Sequence, residues 1–329
     1  MDLFGVSATL VATFVSFGLL IGILFGFFGM GGSFLVTPAL LVMGYPSEVA
    51  VGSGLAFVFG TSVIATLKHR DLGQVDYKLG AMFVVGVTAG IEVGKRLVFL
   101  LKALGYADLV ISVAYVVLLG AVGLFVLRDS LTEDDGDEVP ALARRVQAID
   151  VPPVVTLRGD VQVSVWVVGL LAVSIGVLSG FLGVGGGFLL MPSMVYGLGV
   201  PAAVAVGTDV FQITASGAFG AFSYASEGAV NLPVVASLLA GSAMGARIGS
   251  ATTHLVDEDG IKVYFGLMLV GGSLAVAAKE LAGAYDVPVL QTVSVALIVG
   301  SAVLVAGAVV VSGLQALRNP GTSTAAAAD

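Results

Sequence analysis

Two short strings hold most of the chemistry open to this chain: GFFGMGGSFLVTP, Gly26 to Pro38, and GFLGVGGGFLLMP, Gly180 to Pro192. Glycines this dense release the backbone from helical geometry and let successive N–H groups face one point. A helix restarting at Thr37-Pro38 or Met191-Pro192 adds the positive end of its dipole. That geometry favours an anion, so Gly29, Gly31, Gly32 and Ser33 in the first string and Gly183, Gly185, Gly186 and Gly187 in the second are the candidate substrate-binding residues. The blander reading is that these glycines only permit close helix packing. Neither cluster is followed by Gly-Lys-Ser/Thr, so neither is a nucleotide P-loop.

The acid that stands out is Asp209. With its helix opening at Pro201, it lies about 12 Å deep at 1.5 Å per residue. An isolated carboxylate at the centre of a span costs roughly 2.5–3.5 kcal/mol on insertion scales, so it is normally paired, protonated or functional. Gln212, Ser216 and Ser223 share its helix face, and Ser53, Thr61 and Ser62 offer a weaker counterpart in the first half. An ionised Asp209 would repel an anion, which makes proton coupling the consistent role and a hydrogen-bonded structural Asp the alternative. Ser53, Thr208 and Gln212 complete the candidate substrate set.

Two glycine stripes, Gly86/Gly90/Gly94 and Gly241/Gly245/Gly249, mark helix faces built for close backbone approach, and are expected to meet each other. Glu92 and Arg247 occupy equivalent positions on them and are expected as a structural pair; alternatively, Arg247 is a bidentate ligand for a substrate anion. His69 and His254 fall in polar segment ends without a nucleophile or metal partner at suggestive spacing. There is no cysteine, and no catalytic residue, metal ligand or cofactor is expected.

The elements that must position these residues follow from composition. Of 329 residues, 57% are apolar and 11% charged, and the mean hydropathy is +1.06. A soluble domain carries about 25% charged residues, so an ordinary soluble enzyme is excluded and a polytopic membrane protein is indicated. The net charge of −8 argues against a nucleic-acid partner. Two charge-free runs, Leu3 to Ser47 and Val161 to Thr208, are far longer than the roughly 20 residues of one span. Each must hold a full span and a second, shorter leg, broken by the glycine clusters. With the ordinary runs, the expected fold is an all-α membrane bundle of about nine transmembrane helices and two short glycine-led legs.

The chain also repeats itself. At an offset of 154 residues, Gly22, Gly26, Gly29, Gly31, Gly32, Phe34 and Pro38 fall on Gly176, Gly180, Gly183, Gly185, Gly186, Phe188 and Pro192. At 155, Gly44, Pro46, Gly52, Gly73, Gly86, Gly90 and Gly94 fall on Gly199, Pro201, Gly207, Gly228, Gly241, Gly245 and Gly249. Pseudo-symmetric halves with a glycine-interrupted segment at matching places are the pattern of secondary transporters. The expected organisation is a first transmembrane repeat over 1–128, a polar acidic linker over 129–162, a second repeat over 163–285, and an extra C-terminal helix with a polar tail over 286–329. If both short legs cross the membrane, the halves are inverted, most Lys and Arg share one side, and the linker is cytoplasmic.

The doubled combination of a GxGGG-type turn, a following proline, a Gly-x-Pro loop, Ala-Val-Gly-Ser/Thr, a Gly-x-Val-Asp/Asn hairpin (Gly73, Val75, Asp76; Gly228, Val230, Asn231) and a GxxxGxxxG helix resembles the TauE/SafE family. The resemblance covers about residues 15 to 100 and 170 to 255. It implies secondary transport, typically export, of small sulfur-containing anions such as sulfite, thiosulfate or sulfonates, without ATP hydrolysis. Ser33 replaces the third glycine of the first turn, and the family's usual Gly-Thr-Ser appears as Gly52-Ser53-Gly54 and Gly207-Thr208-Asp209. The implied partners are the lipid bilayer of the cell membrane and a small anionic substrate, and a homo-oligomer is compatible with both. The competing readings are a transporter or channel for another small solute, a carboxylate or a cation using Asp209, and a membrane-embedded enzyme, for which no reactive cluster is present.

Overall fold

Inside a bilayer no water is available to backbone N–H and C=O groups, so long runs of Leu, Val, Ile, Phe and Ala close their hydrogen bonds internally as helices. A computed structural model of the chain describes residues 2–3, 6–28, 34–71, 74–130, 151–156, 162–252 and 258–318. Among them eleven α-helices follow one another. They are α1 (Ala8–Phe28), α2 (Val36–Val42), α3 (Ser47–Asp71), α4 (Tyr77–Ala103), α5 (Ala107–Asp129), α6 (Val165–Leu182), α7 (Gly187–Pro192), α8 (Ala202–Ala225), α9 (Leu232–Thr252), α10 (Glu258–Tyr285) and α11 (Pro288–Arg318). Two short antiparallel ribbons pair β1 (Asp2–Leu3) with β2 (Val6–Ser7) and β3 (Val154–Thr156) with β4 (Gln162–Ser164).

Six helices, α1, α5, α6, α9, α10 and α11, are long and apolar enough to span a membrane. The chain is therefore an all-helical, multi-pass membrane protein, as its composition requires. The expected short legs are α2, of 7 residues, and α7, of 6. Helices α3, α4 and α8, of 25, 27 and 24 residues, are as long as the apolar spans but carry Ser, Thr, Gln and charged side chains along their length.

Two compact units interleave along the sequence. The first comprises Met1–Gly44, Ser112–Glu133 and Ala236–Asp329, and the second Tyr45–Ile111 and Asp134–Val235. In the first, Gly18, Gly22 and Gly26 of α1 lie against Leu238, Ser242 and Ala246 of α9, while Gly241, Gly245 and Gly249 lie against Val15, Leu19 and Ile23. In the second, Gly86, Gly90 and Gly94 of α4 lie against Ala172, Val173 and Val177 of α6, while Gly176 and Gly180 lie against Val87 and Ile91. The stripes thus meet glycine-bearing helices of their own unit rather than each other. The physical reason is reciprocal: a helix stripped of Cβ atoms gains most contact from a partner stripped in the same register.

Around the α4–α6 contact, Leu79, Phe83, Val87 and Ile91 pack with Val168, Ala172 and Ile175, and with Leu190, Met194 and Leu198 from the second short leg. In the first unit, α11 secures the other short leg through Gln291, whose amide donates to the Val42 carbonyl at the end of α2 (2.9 Å). Phe34 meets Phe265 of α10 edge to face at 5.4 Å.

Candidate substrate site

Helix α6 stops at Leu182 because Gly183 turns left-handed, φ 76°, and closes the last turn with its N–H on the Ser179 carbonyl, 2.7 Å. Gly185 and Gly186 follow at φ 67° and 85°, a region that costs ordinary L-residues about 1–2 kcal/mol each. The chain restarts as α7, with Leu190 N–H donating to the Gly186 carbonyl at 2.8 Å. Pro192 then removes a donor and crowds the preceding turn. The helix widens after it into a π turn, Ser193–Leu198, and Ser193 Oγ donates to the Leu189 carbonyl, 2.6 Å.

The whole turn is buried, and α8 packs against α7. A Cβ on Gly187 would lie 2.9 Å from Asp209 Oδ2 and 2.5 Å from Ile213 Cδ1. Gly185 faces Val58 of α3, and Gly186 faces Ile175 and Ser179 of α6. The structure therefore brings the second glycine turn, through Gly187, against Asp209, two features that sequence reasoning derived separately. Asp209 is buried, and its Oδ1 has no hydrogen-bond partner among the described residues. One turn on, Gln212 donates through Nε2 to Ser216, while its Oε1 is likewise without a partner among them. The matching residues of the first string, Gly29, Gly31, Gly32 and Ser33, lie outside the described residues, as does His254; the side chain of His69 is also undescribed.

Ser53 and Thr208 are engaged away from the glycine turn. Thr208 Oγ1 accepts the Asp76 N–H, 2.9 Å, and the Asp76 carboxylate caps α4 by accepting from Lys78 and Leu79. Ser53 Oγ accepts the Asn231 N–H, 3.0 Å, and Asn231 Oδ1 accepts from Val234 at the start of α9. Both hydroxyls secure the hairpin of the opposite sequence half. Their glycine neighbours let the same hairpins approach: a Cβ on Gly52 would strike the Ala229 carbonyl, and one on Gly207 would meet the Gln74 backbone.

Glu92 is engaged inside the second unit. It accepts from Arg96 Nε at 2.9 Å and from Ser223 Oγ at 3.2 Å, and lies 3.2 Å from Lys95 Nζ. Arg247 is exposed on α9 of the first unit. Sequence reasoning missed Ser179, and it missed the hydroxyl links between α3 and α8: Thr66 with Thr214 (2.7 Å), Thr214 with Ser62 (3.0 Å), and Thr66 to the Val210 carbonyl (3.0 Å). It also missed Tyr224, whose phenol donates to the Gly180 carbonyl (2.6 Å) and ties α8 to the end of α6. Ser179 aligns with Phe25 at the 154-residue offset, and that break in the repeat was the available signal.

A multi-pass helical protein whose broken helix faces a buried acid, one of its oxygens unpartnered among the described residues, has the construction of a membrane transporter. Residues 14–276 match the family model for sulfite exporter TauE/SafE, and the chain belongs to this transporter family. It is 25% identical over 283 residues to a probable membrane transporter protein of Xylella fastidiosa (strain 9a5c), covering 83% of this chain and 97% of that one. It is 26% identical over 272 residues to the probable membrane transporter protein YunE of Bacillus subtilis (strain 168), covering 78% and 93%. A third relative, the probable membrane transporter protein MJ0441 of Methanocaldococcus jannaschii, is 27% identical over 217 residues, covering 63% and 69%. No solved structure matches the chain.

Proposed function

We propose that this protein is a secondary transporter, working as an exporter in the cell membrane, for small sulfur-containing anions such as sulfite, thiosulfate or sulfonates. The anion rests at the glycine turns, and Asp209 couples its movement to protons. The observation that carries this reading is the meeting of the left-handed turn at Gly183–Gly187 with the Asp209 carboxylate. While ionised, Asp209 repels an anion at the turn; protonation removes that charge. Proton and anion therefore favour each other's binding, and anion affinity rises as pH falls. The halves are read as inverted repeats, which the matched offsets in the sequence and the glycine stripes packed in each unit support.

The test is flux into proteoliposomes of sulfite, thiosulfate, a small sulfonate and acetate. Saturable movement of at least one sulfur anion, well above acetate, is the expected result. Acetate moving as fast as every sulfur anion, or no sulfur-anion flux from folded protein, would overturn the substrate class.

A further inference from the structure

Three buried oxygens around the second glycine turn have no hydrogen-bond partner among the described residues: Asp209 Oδ1, Gln212 Oε1 and Ser179 Oγ. Each residue is at most 1% exposed. The turn lies against two of these residues. A Cβ on Gly187 would lie 2.9 Å from Asp209 Oδ2, and one on Gly186 would lie 4.0 Å from Ser179 Oγ. Gln212 follows Asp209 by three residues on α8 and so shares its face. Its amide orientation is fixed by Ser216, which gives its hydroxyl hydrogen to the Gln212 backbone carbonyl (3.0 Å) and can only accept from Nε2. Oε1 is thereby left as a free acceptor.

A buried acceptor without a donor costs about 1–3 kcal/mol, more when charged, and two of these three, Asp209 Oδ1 and Gln212 Oε1, are acceptors alone unless Asp209 is protonated. The Ser179 hydroxyl hydrogen and a proton on Asp209 could each be given to one neighbour, but neither would be shared by all three oxygens. A cation serves all three. One carboxylate, one amide oxygen and one hydroxyl form a hard oxygen set of single negative charge, which suits a hard monovalent cation better than a divalent one. Unwound backbone in a discontinuous helix is where transporters hold such ions. On α4, Lys95 and Arg96 pair with Glu92 and Lys102 with Glu48, while Lys78 is exposed in the first turn, and α6 and α7 carry no charged residue. The set also occurs in one half alone: at the repeat offsets, Ser179, Asp209 and Gln212 align with Phe25, Gly54 and Phe57.

We propose that Asp209, Gln212 and Ser179 bind a sodium ion beside the glycine turn, so that a sodium gradient can take the place of a proton gradient in driving the anion. This rests on the reading of Asp209 as the coupling residue. The test is thermal unfolding of the purified full chain in detergent, titrated with sodium chloride against potassium chloride and choline chloride at matched ionic strength.

A saturable rise in melting temperature specific to sodium is expected, absent in Asp209→Asn. In Gln212→Ala and Ser179→Ala the apparent sodium affinity should fall by roughly tenfold or more, as for other metal-site partners. Identical curves in all three salts would overturn the site, as would a sodium shift undiminished in the Gln212→Ala and Ser179→Ala variants, which leave the acid in place. Proton-driven sulfite flux that needs Asp209, without any sodium-specific shift, would remove the sodium site and leave the transport reading standing. A sodium shift lost in Asp209→Asn, with no sulfur-anion flux, would keep the site and remove the substrate.

Discussion

Gly187 matters for the side chain it lacks. The atoms that a Cβ would meet there are the ends of two side chains, Ile213 Cδ1 and Asp209 Oδ2, not backbone. Gly187→Ala is therefore expected to fold, with a melting temperature within a few degrees of wild type, about the shift that 1 kcal/mol produces. Its sulfite flux should fall sharply, because the methyl displaces the carboxylate from the turn; undiminished flux would detach the turn from transport. Gly185→Ala behaves differently. Its φ of 67° and its contact with Val58 strain the backbone itself, and a loss of about 1–2 kcal/mol in stability, measured by thermal unfolding, is expected. Thr208→Val leaves the buried Asp76 N–H without its acceptor and should cost about 1–3 kcal/mol, while Thr208→Ser retains most of the stability. At this scale the sequence exposed the glycine turn and Asp209, because acids and glycine clusters are conspicuous in apolar runs. It concealed Ser179, since a serine in an apolar helix ordinarily bonds to its own backbone and only the mismatch with Phe25 in the repeat sets this one apart. It also concealed the work of Ser53 and Thr208, whose partners lie 178 and 132 residues away.

Helices were the most legible elements, because charge-free runs and glycine-proline punctuation fix both their number and their breaks. Spacing alone also showed the stripes, but not their partners. Which small-residue face receives which stripe depends on the fold: Gly86, Gly90 and Gly94 meet α6, and Gly241, Gly245 and Gly249 meet α1. The π turn after Pro192 was equally hidden, since proline announces a disturbed helix but not whether the chain kinks, stops or widens. Packing this close predicts its own sensitivity. Gly90→Leu and Gly245→Leu each drive a side chain into a neighbouring backbone and should exceed the usual 1–3 kcal/mol of overpacking, seen as loss of the monodisperse peak in size-exclusion chromatography. Gly169→Leu on α6, where nothing lies within 4 Å, should leave that peak intact. Equal tolerance at all three positions would show that the stripes are not tight.

For the whole molecule, hydropathy and charge settled the solvent and the class, while the division into units was out of reach of either. Each unit draws on both sequence halves, because α1 of the first half packs with α9 of the second, and α4 of the first with α6 of the second. The segment 129–162 is proposed as cytoplasmic by the distribution of Lys and Arg. The chain has no cysteine, so Arg145→Cys introduces a single labelling site. Its modification by an impermeant maleimide only after cells are opened is the expected outcome; labelling of intact cells would reverse the orientation. The most direct test of the transport site is sulfite flux in proteoliposomes under an imposed pH gradient, comparing wild type with Asp209→Asn and using acetate as the control anion. Wild type is expected to move sulfite in response to the gradient, and Asp209→Asn to lose that response. Sulfite flux that stays pH-dependent in Asp209→Asn would contradict the coupling role of the carboxylate at the glycine turn.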